Sequence, residues 1–252
     1  MQRVWNTPGG EYPALYHEML EQTHLLIAGC TGAGKSTVVN GIMYTALYDS
    51  PARVQFILID PKGTELSMYE RLPHTLKYGQ TVPECIAALE YAMQLTQARF
   101  DAMKRAGARM YDGPDVYVVI DELMYLMNQS SIKKQTIKLL QDIMVIARAA
   151  RVHVIACTQF IPAIPTNIRC NFDCKLALRT ATAQDSRNVL GVKGCETFPV
   201  PTLEHKAYGA YMVNGVVQVY NLPRIEDNSI DRLIAHWTGP AGRSKLKIFS
   251  RG

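Results

Sequence analysis

The sequence lacks any apolar run long enough to cross a membrane: its apolar stretches break within about ten residues, and a spanning helix needs about 20. Its first residues, MQRVWNTPGG, hold no apolar signal-peptide core. There is no linker, no internal repeat and no low-complexity tract. These absences argue against a membrane-spanning, secreted or multi-domain reading. One cytoplasmic α/β domain over residues 1–252 is expected, with 1–23 as a lead-in and 240–252 as a basic tail. Charged residues are only 19% and hydrophobic residues 48%, which excludes a disordered chain. The net charge of +5 permits a nucleic-acid partner without requiring one. Arg243, Lys245, Lys247 and Arg251 cluster in the tail, where a solvated segment is favoured over a phosphate contact. The six cysteines read as reduced thiols rather than a disulfide framework. A zinc site drawn from Cys170, Cys174, Cys195 and His205 is disfavoured, because the second pair is not compactly spaced.

What is present is sharper. GCTGAGKS, Gly29 to Ser36, matches the phosphate-loop pattern G-x-x-x-x-G-K-[ST]. The glycines let successive backbone N–H groups turn inward on phosphates. Lys35 reaches the β and γ phosphates, and Ser36 offers its hydroxyl to Mg²⁺. The apolar run Leu25 to Ala28 before the loop reads as a buried strand, and Thr37 to Tyr48 after it has helical spacing. A helix N-terminus there adds its positive end to the anion site.

A phosphate loop predicts a second strand ending in an acid. VYVVIDEL supplies it: Val116 to Ile120 lead into Asp121 and Glu122. Asp121 suits the Mg²⁺ shell, and Glu122 suits the base that polarises an attacking water. Consecutive side chains point oppositely along a strand, but where the chain turns both can face one crevice. VHVIACTQF ends in Gln159, which reads either as a γ-phosphate sensor or as a turn residue. A cation at the γ-phosphate can come from a neighbouring subunit. Arg148, Arg151, Arg179 and Arg187 are candidates among which sequence alone does not choose.

Strand-like runs alternate with helical patterns along the chain. Runs lie at Val54 to Ile59, Val152 to Cys157 and Leu176 to Arg179, besides those above. Helical patterns run from Pro83 to Ala106 and from Lys133 to Ala150. Alternation predicts a mainly parallel central sheet with helices on both faces. Near the end, AYGAYMV and VVQVY flank Asn214-Gly215, a hairpin signal that places an antiparallel edge on the sheet.

Four blocks then resemble the FtsK/SpoIIIE family of DNA translocases, within the wider HerA/FtsK group of hexameric motors. They are HLLIAGCTGAGKS, FILIDPKGTELSMYERLPH, VYVVIDEL with ARAARVHVIACTQ, and LALRTATAQDSRNVLG. The second block is the specific one. Type VII secretion ATPases of the EccC kind are similar elsewhere but carry a DFKGG-like sequence at that point. The resemblance implies a RecA-like P-loop NTPase that uses ATP and Mg²⁺. Gly29, Cys30, Thr31, Gly32, Ala33, Gly34, Lys35, Ser36 and Thr37 would bind the nucleotide, with Lys62 bracing the site. Ser36 and Asp121 would hold the metal, Glu122 would be the catalytic base and Gln159 the γ-phosphate sensor. Arg148, Arg179 or Arg187 would act across a subunit boundary. The implied partner is double-stranded DNA, threaded through a homo-hexameric ring.

Departures from the family pattern bear on the cargo. Where the family usually reads TQRP, this chain has Thr158-Gln159-Phe160-Ile161-Pro162, and Lys175 stands where many members carry Arg. The short lead-in and the little that follows the hairpin suggest a minimal motor core, with any membrane anchor supplied by a separate protein. The expected function is an ATP-driven duplex-DNA translocase, as in conjugative or mobile-element transfer. The alternatives are a protein-secretion motor of the EccC type and a nucleotide-dependent binding module.

Overall fold

The computed structural model describes residues 14–202, 207–240 and 242. The tail residues Arg243, Lys245, Lys247 and Arg251, and His205, lie outside them. Eight strands form one sheet: β1 (His24–Ala28), β2 (Val54–Ile59), β3 (Thr75–Gly79), β4 (Asp115–Ile120), β5 (Val152–Thr158), β6 (Cys174–Ala177), β7 (Tyr208–Val213) and β8 (Val216–Asn221). Their order is β3-β2-β4-β5-β1-β6-β7-β8. The first six are parallel, β7 adds antiparallel to β6, and β8 pairs antiparallel with β7. The expected architecture is therefore present. Strand β5 lies between the phosphate-loop strand β1 and the acid-bearing strand β4.

The helices are α1 (Ala14–Leu20), α2 (Lys35–Asp49), α3 (Val82–Ala106), α4 (Leu123–Asn128), α5 (Lys133–Ile146), α6 (Thr166–Arg169), α7 (Ala183–Leu190) and α8 (Asp227–Thr238). Strand side chains alternate between two cores. Leu25, Ile27, Tyr117 and Val119 face one core with α1, α2 and α8. Leu26, Ala28, Val116, Val118 and Ile120 face the other with α3, α4, α5 and α7. Helix α3 starts with a capping box between Thr81 and Glu84 and stops at Gly107, whose φ of 63° suits a left-handed cap.

Some bounds differ from those the sequence suggests, each for a local reason. The helix expected to run from Lys133 to Ala150 ends at Ile146, because the chain turns back through Arg151 at φ 54° to start β5. Strand β6 starts at Cys174 and ends at Ala177 rather than running from Leu176 to Arg179. The Arg179 carbonyl instead accepts the Cys30 N–H at 2.9 Å, tying the strand end to the phosphate loop. The hairpin is as expected: Asn214 and Gly215 take φ of 51° and 75°, the conformation of a type I′ turn. After it comes α8, amphipathic and docked through Ile230 and Trp237, the latter edge-on to His74 with ring centroids 5.0 Å apart.

Candidate nucleotide-binding site

At the carboxyl ends of β1, β4 and β5 lies a cavity of about 380 Å³. This is where an open α/β sheet places its ligand, beside the point where strand order reverses. Its walls include Thr31, Gly32, Gly34, Lys35, Ser36 and Thr37 from the loop, Lys62 and Glu65 after β2, Asp121 and Glu122 after β4, Gln159 after β5, and Pro201. Another cavity, of about 440 Å³, sits at the amino ends of β2, β3 and β4, away from the phosphate loop.

The loop's geometry requires its glycines. Gly32 and Gly34 have φ of 74° and 99°, which side-chain-bearing residues avoid. A Cβ on Gly29 would lie 2.9 Å from that of Leu178, because β6 passes close behind the loop. Lys35 opens α2, and its Nζ donates to the carbonyls of Gly29 at 2.8 Å and Cys30 at 3.2 Å. Burial holds its pKa below the ordinary lysine value, and Glu122 is among the anions that partly offset this.

Asp121 and Glu122 are both buried and both face the cavity. Asp121's pKa is pushed up to about 6, by burial first and then by Asp60 and Glu65, with Lys62 pulling it back. One oxygen of Glu122, Oε1, accepts the Gln159 N–H at 3.3 Å. The other, Oε2, makes no hydrogen bond and lies 3.7 Å from Lys62 Nζ. The Thr31 hydroxyl donates to Gln159 Oε1 at 2.9 Å, so the phosphate loop, the β5 end and the carboxylate are linked in series. Magnesium fits this donor set, because a serine hydroxyl and crowded carboxylates are hard oxygen ligands.

The arginine candidates separate. Arg179 approaches the loop of its own chain, with Nη1 3.3 Å from Cys30 Sγ. Arg151 is engaged elsewhere, paired with Asp115 at 2.6 Å. Arg148 and Arg187 are exposed and are not among the cavity's lining residues. Glu65 and Pro201 line the cavity but were not expected there. Glu65 was a legible acid of the DPKGTEL block, whereas Pro201 arrives by tertiary folding alone. Cys170 is exposed while Cys174 and Cys195 are buried, and among the described residues no His/Cys/Asp/Glu cluster could hold a metal by itself.

Loop, acid strand and sheet order together define a P-loop α/β domain. The FtsK/SpoIIIE family matches residues 9–192, and the chain belongs to that family. Among curated relatives, the DNA translocase FtsK of Agrobacterium fabrum is 28% identical over 277 residues, covering 91% of this chain and 30% of the relative. The DNA translocase FtsK of Staphylococcus epidermidis is 32% identical over 202 residues, covering 71% of this chain and 25% of the relative. The chain thus spans under a third of the length of these relatives. Among solved structures, the pCW3 conjugation coupling protein TcpA in its monomer form with ATPgS gives a TM-score of 0.72 at 18% identity, covering 86% of this chain and 65% of that one. The cytoplasmic domain of the Type VII secretion ATPase EccC from Thermomonospora curvata gives 0.70 at 20% identity, covering 86% and 28%. At such identities these two likenesses speak to fold alone.

Proposed function

We propose that this chain is the ATP-hydrolysing core of a duplex-DNA translocase. The observation that carries the reading is the convergence of Lys35, Ser36, Asp121, Glu122 and Gln159 on one cavity in a member of the FtsK/SpoIIIE family. Lys35 leaves its two carbonyls for the β and γ phosphates. Thr31 to Thr37 wrap the phosphates with backbone N–H groups at the start of α2. Ser36 and Asp121 would hold Mg²⁺, which would supply positive charge to the phosphates. Glu122 takes a proton from a water as that water's oxygen bonds to the γ-phosphorus and the bond to the β–γ bridging oxygen breaks. ADP and phosphate leave, and Glu122 returns its proton to solvent. Gln159 orients the water through its side-chain amide. Arg179 serves the site of its own subunit, whereas Arg187 or Arg148 reaches a neighbour's γ-phosphate in a homo-hexameric ring.

DNA as cargo rests on the family and on the DPKGTELS block, and a net charge of +5 permits it. A protein-secretion motor is the second reading, favoured by Phe160 standing where the DNA-translocase family usually reads TQRP. A module that binds nucleotide without turning it over is disfavoured by Glu122, which such a module does not need. The test is strand displacement from a triplex placed on linear duplex, with particle mass measured alongside. ATP-dependent displacement by a ring-sized particle is expected. Displacement absent at every subunit stoichiometry, with ATP turned over, would remove the translocase reading and leave an ATPase.

A further inference from the structure

We propose that Lys62 is the resting counter-ion of Glu122, and that the nucleotide's terminal phosphate draws Lys62 away and so uncovers the carboxylate. The inference rests on the ATPase reading above and concerns regulation of that same site.

It begins one turn away from the chemistry. Asp60 is fully buried at the end of β2, and its carboxylate accepts three backbone N–H groups: Gly63 at 2.9 Å, Glu65 at 3.1 Å and Leu66 at 2.9 Å. Charge-assisted bonds of this kind are the strong ones. The turn also needs a glycine's left-handed backbone, with Gln80 packed over it. Gly63 has φ of 67°, and a Cβ there would lie 2.1 Å from Gln80 Nε2. The backbone around Lys62 is therefore fixed, while its side chain stays 45% exposed on a flexible four-carbon stem.

That stem brings the ammonium to 3.7 Å from Glu122 Oε2, an oxygen that is buried and accepts no hydrogen bond. A buried carboxylate needs a positive partner, and a pair at this separation attracts without being locked by a hydrogen bond. Lys62 is thus held near the base loosely enough to leave it. Lys35, by contrast, rests in two hydrogen bonds, to the carbonyls of Gly29 and Cys30. A bound triphosphate offers both lysines oxygens carrying more charge than one carboxylate. Once Lys62 turns to them, the ammonium no longer covers Glu122 Oε2. The carboxylate is then uncovered only when the site is filled. Asp60 is a positioning residue in this scheme, since it aims Lys62 and does not line the cavity.

The test is a double-mutant cycle on ATP affinity by calorimetry, using wild type, Glu122→Gln, Lys62→Met and the double variant. Removing the Glu122 charge frees Lys62 for the nucleotide. ATP should therefore bind about three- to tenfold more tightly to Glu122→Gln than to wild type, the span expected of one partly buried ion pair. In the Lys62→Met background the same change should alter affinity less than about twofold. Lys62→Arg should keep the gain. Equal tightening in both backgrounds would mean simple relief of charge repulsion and would overturn the lock while leaving the ATPase reading intact. No tightening in wild type would overturn it too. Failure of all four folded forms to bind ATP would instead remove the ATPase reading, and the lock with it.

Discussion

Strand β4 carries an aspartate at each end, and the two sit in opposite surroundings. Asp115, its first residue, accepts two hydrogen bonds from Arg151, at 2.9 and 2.6 Å, and lies 3.0 Å from His153 Nε2. Burial pushes its pKa up, but the His153 and Arg151 hydrogen bonds outweigh that and hold it below the ordinary value. Nearby, the buried Arg99 donates to the carbonyls of Pro114, Ala150 and Arg151, so that end of the sheet is cross-tied. Asp121, just past the other end, is buried among Asp60, Glu65 and Glu122, and its pKa is pushed up to about 6. The same strand thus ends in satisfied charge on one side and, on the other, in a cluster of acids that Lys62 only partly offsets. Satisfied charge stabilises the fold. Uncompensated charge has a use only when something positive, or something carrying its own cation, enters.

The strongest way to break that contrast is at the uncompensated end. Glu122→Gln keeps size and packing but removes the base. Its ATP turnover should fall about 10²- to 10⁴-fold while nucleotide binding persists, as steady-state assay and calorimetry would show. Normal turnover would displace Glu122 as the base. At the satisfied end the effect should be on folding. Asp115→Ala strands Arg151 and His153, and should cost about 2–3 kcal/mol in urea denaturation. A loss under about 0.5 kcal/mol would mean the cluster is ornamental.

Asp121→Asn should do the reverse, stabilising the nucleotide-free protein while abolishing turnover. The sign follows from linkage. A carboxyl whose folded pKa lies above its unfolded value holds its proton more tightly when folded. Its favourable contribution is complete below about pH 4 and is lost as pH rises through about 6. The stability gap between Asp121→Asn and wild type should therefore open between these values and level off near 1–3 kcal/mol, read from denaturation curves across pH. A gap that is flat with pH would contradict the crowding. The smallest expected effect lies far from both ends. Gly215→Ala, at φ 75° in the β7–β8 turn, should cost about 1 kcal/mol and leave turnover unchanged.

Much of this was readable in the chain, and what was not has physical reasons. Strands β1, β2, β4 and β5 are buried on both faces, so they appear as continuous apolar runs. Strand β3, TLKYG, was not legible, because it is an edge strand that is only half buried and shows no such run. Helix α8 was missed because only Ile230 and Trp237 of it are buried. In the site, loop and acid pair follow from spacing. The link from Thr31 through Gln159 to Glu122 does not, because it joins residues 128 and 37 positions apart. Asp60 was hidden for a different cause. Its role is to accept backbone N–H groups, and no side-chain pattern marks that in a sequence.

The central claim is that this cavity burns ATP to move duplex DNA, and ATPase rate with and without duplex tests it most directly. The account predicts severalfold stimulation by duplex at low salt, fading as salt rises because phosphate contacts release counterions. An ATPase rate indifferent to duplex at low salt would contradict it.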